Sequence, residues 1–310
     1  MWQVVLALIP AGAWAVYLFG PEVLWIIGLS VGTAVITEWV IQKCRRVAVT
    51  ITDGSAVVTG LLLAYVLPSH VPTEANEPRV LPWFVPVVGA AVAIGIAKQA
   101  FGGLGCNIWN PALIGRAFAQ VAWPQYVSLA QWKMPIGLDI QATTGATGLA
   151  VRKGTAYTLA QQFFGVEPGC IGEVSAFLLI LGGGYLIVRG YVNWRLPLAY
   201  LGSVAALVVV LPVPADKAAW WSHDAAYHLF AGGLMLGAFF MATDMVTSPL
   251  TNLGQWIFGL GCGILTVLIR FYTEYPEGVC YSILLMNTAR PLIDRHTRPK
   301  PFGYRKEKAG

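Results

Sequence analysis

Charge is what this chain has least of. Only 11% of its 310 residues are Asp, Glu, Lys or Arg, against about 25% in soluble domains. With 56% hydrophobic residues and a mean hydropathy of +0.64, a soluble fold has nowhere to bury the apolar surface. Other absences narrow the chemistry. The five cysteines (Cys44, Cys106, Cys170, Cys262, Cys280) form no CxxC pair and read as small packing residues. The four histidines (His70, His223, His228, His296) offer no pair spaced to ligate haem from one helix. No glycine-rich nucleotide fingerprint opens a helix after a strand. There is no low-complexity linker and no soluble domain. The first apolar stretch, Trp2 to Phe19, lacks a basic leader and a small-residue cleavage site, so it reads as a retained helix. The net charge of +5 does not point to nucleic acid, because the basic residues gather at segment ends and in the C-terminal tail.

What is present is a series of apolar segments. A span needs about 20 such residues. Ten candidates stand out, at 2–19, 22–40, 54–69, 82–100, 108–125, 171–189, 196–213, 229–245, 255–271 and 277–294. The expected fold is therefore an all-α polytopic membrane protein of about ten transmembrane helices, spanning residues 1–294. Placing Lys43, Arg45 and Arg46 in the cytoplasm puts fourteen basic residues inside and six outside, as the positive-inside rule requires. Both termini are then cytoplasmic. The tail 295–310 is a basic surface arm suited to anionic lipid.

The longest connection, 126–170, falls on the outer face and divides two halves, 1–125 and 171–294. Five crossings per half would make any repeat an inverted one. Within that outer loop the chain reads Thr143-Thr144-Gly145-Ala146-Thr147-Gly148-Leu149. Hydroxyls on a backbone freed by glycine could carry a covalent group outside the bilayer, and the same residues are also ordinary turn formers.

The Thr-Gly-Ala-Thr stretch resembles the flavinylation motif of the membrane subunits of Rnf and sodium-pumping quinone reductase complexes. Four further blocks extend the likeness. They are Asp53-Gly54-Ser55 through Ala64, Phe101-Gly102-Gly103-Leu104-Gly105-Cys106-Asn107-Ile108-Trp109-Asn110-Pro111-Ala112, Met241-Ala242-Thr243-Asp244 through Pro249, and Tyr275-Pro276-Glu277-Gly278 followed by Leu285-Met286-Asn287. In family order they resemble the D subunit of the Rnf electron-transport complex and its relative, the B subunit of the sodium-pumping NADH:quinone reductase. The quinone-reductase subunit looks longer at its N-terminus, and this chain begins directly at its first helix, so it is more similar to the Rnf type. The resemblance implies a membrane subunit of an ion-translocating ferredoxin:NAD oxidoreductase in a bacterial or archaeal cytoplasmic membrane. It implies FMN held through a phosphoester to Thr147, with Thr144, Gly145 and Ala146 around it. It also implies partner subunits of the A, B, C, E and G types, a flavin transferase during maturation, and coupling to Na+ or H+. One residue departs from the pattern: Gln141 stands where the motif usually has an acid, and the nearest acid is Asp139.

The Gly102–Pro111 stretch is a broken-helix signature, tolerated at membrane depth only inside protein or beside a cavity. It is expected either to pack helices closely or to flank a second, non-covalent flavin (riboflavin, by the resemblance), with Asn107, Asn110 and Arg116 as contacts. Asp244 with Thr243 and Thr247 offers oxygen donors to a hard cation, or an ordinary helix-ending turn. Asp53, Lys98 and Glu173 lie near helix ends, where they can cap or snorkel. Two alternatives remain at this point: the quinone-reductase homologue, and a channel or transporter with an inverted repeat and no redox role.

Overall fold

The computed structural model describes residues 1–72, 78–127, 132–133, 144–145, 158–165, 169–173, 175–212, 225–273 and 278–298. Most of these residues are helical, and very few are in strands. Helices α1 (Trp2–Phe19) and α2 (Glu22–Cys44) are followed by a short α3 (Ser55–Tyr65). Next come α4 (Phe84–Val92), which continues as a π-helix over Ala93–Gln99, and α5 (Pro111–Ala122). Short helices α6 (Pro124–Val127) and α7 (Leu159–Phe164) lead to α8 (Ala176–Val188) and α9 (Arg195–Val210). The last group is α10 (Ala225–Phe230), α11 (Leu234–Leu236) continuing as a π-helix over Gly237–Met241, α12 (Asn252–Tyr272) and α13 (Val279–Thr297).

Each of the ten apolar candidates coincides with helix, but α1, α2 and α12 alone, among the described residues, are long and apolar enough to cross a membrane unaided. The others are shorter for local reasons. At 11 residues α3 covers about 16 Å, half of a bilayer core of about 30 Å. The eighth candidate, 229–245, breaks at Gly232, whose φ of 69° suits glycine. The helix expected to end at 294 runs to Thr297, so Arg295 and His296 belong to its last turn rather than to a free tail.

Close packing explains the glycine content of the helices. A Cβ on Gly60 would lie 2.7 Å from the Val31 Cα, so α3 rides directly on α2, and the Ser30 hydroxyl donates to the Gly60 carbonyl at 2.8 Å. Gly259 and Gly263 of α12 similarly admit α9, where a Cβ on Gly259 would meet the Leu196 carbonyl at 2.8 Å. Between α9, α12 and α13 the buried hydroxyls of Tyr200, Thr266 and Ser282 bond one another at 2.7–3.1 Å.

Strands are few and short. His70–Pro72 (β1) pairs antiparallel with Pro78–Val80 (β2), directly beyond the C-terminal end of α3. Trp132–Lys133 (β3) pairs with Thr144–Gly145 (β4) and lies against β1. Thr147, Ala146, Gln141 and Asp139 lie outside the described residues.

Candidate functional site

The N-terminal end of α3 faces a cleft enclosing about 980 Å³ of empty space, part of it open to the surroundings. Three irregular backbone segments form it. The first leads into α3. Gly54 adopts φ 79°, and the Asp53 carboxylate accepts from the Ser55 amide at 2.7 Å and the Ser55 hydroxyl at 2.6 Å. The second is the break between α4 and α5, where Gly102, Gly103 and Gly105 all have positive φ. The third is the turn after Met241.

Asn110 ties the second segment to the third. Its Oδ1 caps α5 by accepting from the amides of Ala112 and Leu113 at 3.0 and 3.4 Å, with Pro111 at the first helical position. Its Nδ2 donates to the Met241 carbonyl at 3.1 Å, across the gap between the two broken elements. Asn107 Nδ2 donates to the Trp109 carbonyl at 3.2 Å. The Thr243 hydroxyl donates back to the Phe239 carbonyl at 2.6 Å, and the Thr247 hydroxyl donates to Asp244 Oδ2 at 3.1 Å. Those are the bonds of a helix-ending turn. Among the described residues no group of three or more His, Cys, Asp or Glu is placed to hold a metal ion.

Lys98 and Ser55 reach the cleft as one end of a buried polar chain. Lys98 Nζ, on the π-helix of α4, donates to Glu38 Oε2 at 2.8 Å and to Ser55 Oγ at 2.6 Å. Glu38 Oε1 also accepts from Gln99 Nε2 at 2.9 Å and from Gln42 Nε2 at 3.2 Å. Gln42 continues the chain to Thr50 through bonds of 2.9 Å in each direction. Lys98 is 2% exposed and Glu38 is 0% exposed. Two charges are held out of water only where partners satisfy them, as here.

The cleft thus gathers Asn107, Asn110, Thr243 and Asp244, with Thr247 supporting Asp244. Arg116 is elsewhere. Its guanidinium donates to the Val66 carbonyl and to Cys170 Sγ, at the other end of α3. It is therefore not grouped with the two asparagines, and it is buried within the protein. Lys98 and Arg270 are buried too, and setting these three aside leaves twelve basic residues inside against five outside. The backbone of Thr144–Gly145, through β3 and β1, also lies beyond the C-terminal end of α3. The cleft and that strand consequently sit at opposite ends of one half-length helix.

Sequence reasoning missed Glu38 and favoured a structural role for Lys98. The available signal was the depth of Glu38 within the second apolar segment, since an ionisable residue inside a span is a functional candidate by default. Much of the rest of the lining is apolar, including Val58, Leu62, Leu104, Phe239 and Phe240, with Gln3, Thr59 and Tyr191 adding polar groups. An apolar cleft with a few convergent polar groups is the form of a small-molecule site.

A family model described as the NQR2, RnfD, RnfE family matches residues 1–303. The D subunit of the proton-translocating ferredoxin:NAD(+) oxidoreductase complex of Clostridium ljungdahlii is 45% identical over 99% of this chain and 92% of its own length. The D subunit of the Na(+)-translocating complex of Acetobacterium woodii is 44% identical over 99% of this chain and 91% of its own. The D subunit of an ion-translocating oxidoreductase complex from Methanosarcina acetivorans is 34% identical over 98% of this chain and 91% of its own.

Proposed function

The chain belongs to this family, and from that premise we propose that it is the D-type membrane subunit of an ion-translocating ferredoxin:NAD oxidoreductase. It is a multi-pass membrane protein. In this reading ten segments cross the bilayer as two inverted groups of five, with both termini in the cytoplasm. Support for a two-fold repeat comes from pairing of like with like: α1 packs on α8, the first helix of each half, and α5 on α13, the last of each half. Thr147 Oγ holds FMN through its phosphate on the outer face, after attachment by a transferase. FMN supplies one electron-relay station between partner subunits that hold the ferredoxin and nicotinamide sites. Tethering it removes the dissociation step, and the protein contributes position and electrostatics.

The observation that carries the flavin reading is the Thr144-Gly145-Ala146-Thr147 segment, in family order with four other blocks. A second, non-covalent flavin in the cleft fits the apolar walls and the Asn107, Asp244 and Lys98 side chains that line it. Asn110 offers little to such a ligand, because both ends of its amide are engaged within the protein. Relatives named as oxidoreductase subunits favour this reading over a redox-silent transporter. Two relatives of nearly equal identity are named for different ions, so the coupling ion is not set by overall similarity.

In-gel fluorescence of the denatured chain tests the covalent site. Expressed with the transferase, the wild type fluoresces and Thr147→Ala is dark. A dark wild type, or a fluorescent Thr147→Ala, overturns the assignment.

A further inference from the structure

The Lys98–Glu38 pair is not symmetric about the cleft. Lys98 and Ser55 line it, and Glu38 does not, so the carboxylate stands behind the ammonium. The pair therefore presents its positive end to the cleft. Two of the three N–H groups of the ammonium are spent, on Glu38 and on Ser55. Asp53 fixes the Ser55 hydroxyl in turn, and Gln99 and Gln42 fix Glu38. A long, flexible lysine is thus held by two hydrogen bonds, to partners that are themselves hydrogen-bonded, at 2% exposure beside the cleft. Asp244 stands elsewhere on the cleft wall, so among the described side chains that line it the Lys98 ammonium and one carboxylate carry charge.

A helix strut does not require this arrangement. Joining α2 to α4 would be served as well by apolar contact, since a buried ion pair is often no better for stability than hydrophobic residues of the same volume. A fixed positive charge facing a site where negative charge accumulates has a different use. It favours the reduced, more negative form of a bound ring over the oxidised form. We propose that Lys98, held by Glu38 and Ser55, raises the reduction potential of a non-covalent flavin bound in the cleft. This rests on the second-flavin reading above. Removing the charge should weaken the cleft's preference for the reduced flavin at least tenfold, a downward shift of about 59 mV for a one-electron couple.

The test uses the intact membrane complex. Acid-released riboflavin is quantified chromatographically, and the flavin couples are titrated potentiometrically with dithionite. The variants are Lys98→Arg, which keeps the charge, and Lys98→Met with Glu38→Gln, which removes both charges and leaves no orphan. Wild-type complex that releases no riboflavin defeats the second-flavin reading, and the proposal with it. Riboflavin retained, one couple lowered by about 59 mV or more in the double variant and restored in Lys98→Arg, supports the proposal. Riboflavin retained with every couple unmoved overturns it while leaving the second flavin in place. If the double variant loses riboflavin, retention is compared in oxidised and reduced complex. A selective loss of the reduced form, tenfold or more, supports the proposal, and equal loss overturns it.

Discussion

Replacing Asn110 should separate the two broken helices it joins. The side chain does two jobs, so its loss has two components. As the α5 cap it satisfies the amides of Ala112 and Leu113, and a lost asparagine cap costs about 1 kcal/mol, within roughly 0.5–2. As a donor to the Met241 carbonyl it supplies that group's shorter hydrogen bond inside the bundle, leaving only the Asp244 amide at 3.5 Å when it is lost, and depriving a buried acceptor in this way costs about 1–3 kcal/mol. Asn110→Ala should therefore destabilise the chain by about 2–4 kcal/mol. Asn110→Ser keeps a capping oxygen but cannot reach across the gap, so it should lose only the second component, about 1–3 kcal/mol. Unfolding in mixed detergent micelles, titrated with a denaturing detergent, measures the order wild type, Ser, Ala. An Asn110→Ala variant within about 0.5 kcal/mol of wild type would refute the reasoning. So would a serine variant as damaged as alanine, since the cap would then contribute nothing.

Glu38→Ala leaves Lys98 charged and unpaired in the interior, and should cost about 3–5 kcal/mol in the same assay, whereas removing both charges should cost far less. A single and a double variant of equal stability would contradict the pairing. Gly60→Ala places a methyl 2.7 Å from the Val31 backbone, and should cost about 1–3 kcal/mol as α3 is pushed off α2. An unchanged unfolding midpoint would mean that the two helices are not in that contact. For orientation, Cys44 and Cys106 are exposed and Cys170, Cys262 and Cys280 are buried. An impermeant maleimide should label the first two in inverted vesicles and neither in intact cells. The reverse pattern would turn the topology over.

Part of this architecture is legible from composition and part is not. The long helices α1, α2 and α12 follow from runs of apolar residues with little to interrupt them. Where glycine and proline cluster, hydropathy reports apolar content but not continuity. The segment expected at 54–69 ends as helix at Tyr65, because the turn at 170–173 returns to pair with it: the Gly172 amide donates to the Tyr65 carbonyl at 2.7 Å. That partner is more than a hundred residues away, and local pattern contains no trace of it. The eighth segment breaks where the Glu173 carboxylate sits against Gly233, again a distant contact. For the cleft, the glycine run and the Asn107 and Asn110 pair mark a break, which the structure has. Which residues meet across it depends on helix rotation. Arg116 and Asn110 are six residues apart, yet one bonds the Val66 carbonyl and the other the Met241 carbonyl. Glu38 differs: its depth in an apolar run marks it as a candidate from sequence, but its role is defined only once Lys98 is seen beside it.

The covalent flavin is the claim on which the rest of the functional account stands. Its most direct measurement is peptide mapping by mass spectrometry of the chain purified from a host that also makes the attaching transferase. The account predicts an FMN adduct on the peptide containing Thr147, localised to that residue and absent from Thr147→Ala. An unmodified peptide, or an adduct localised to Thr144 instead, would contradict it.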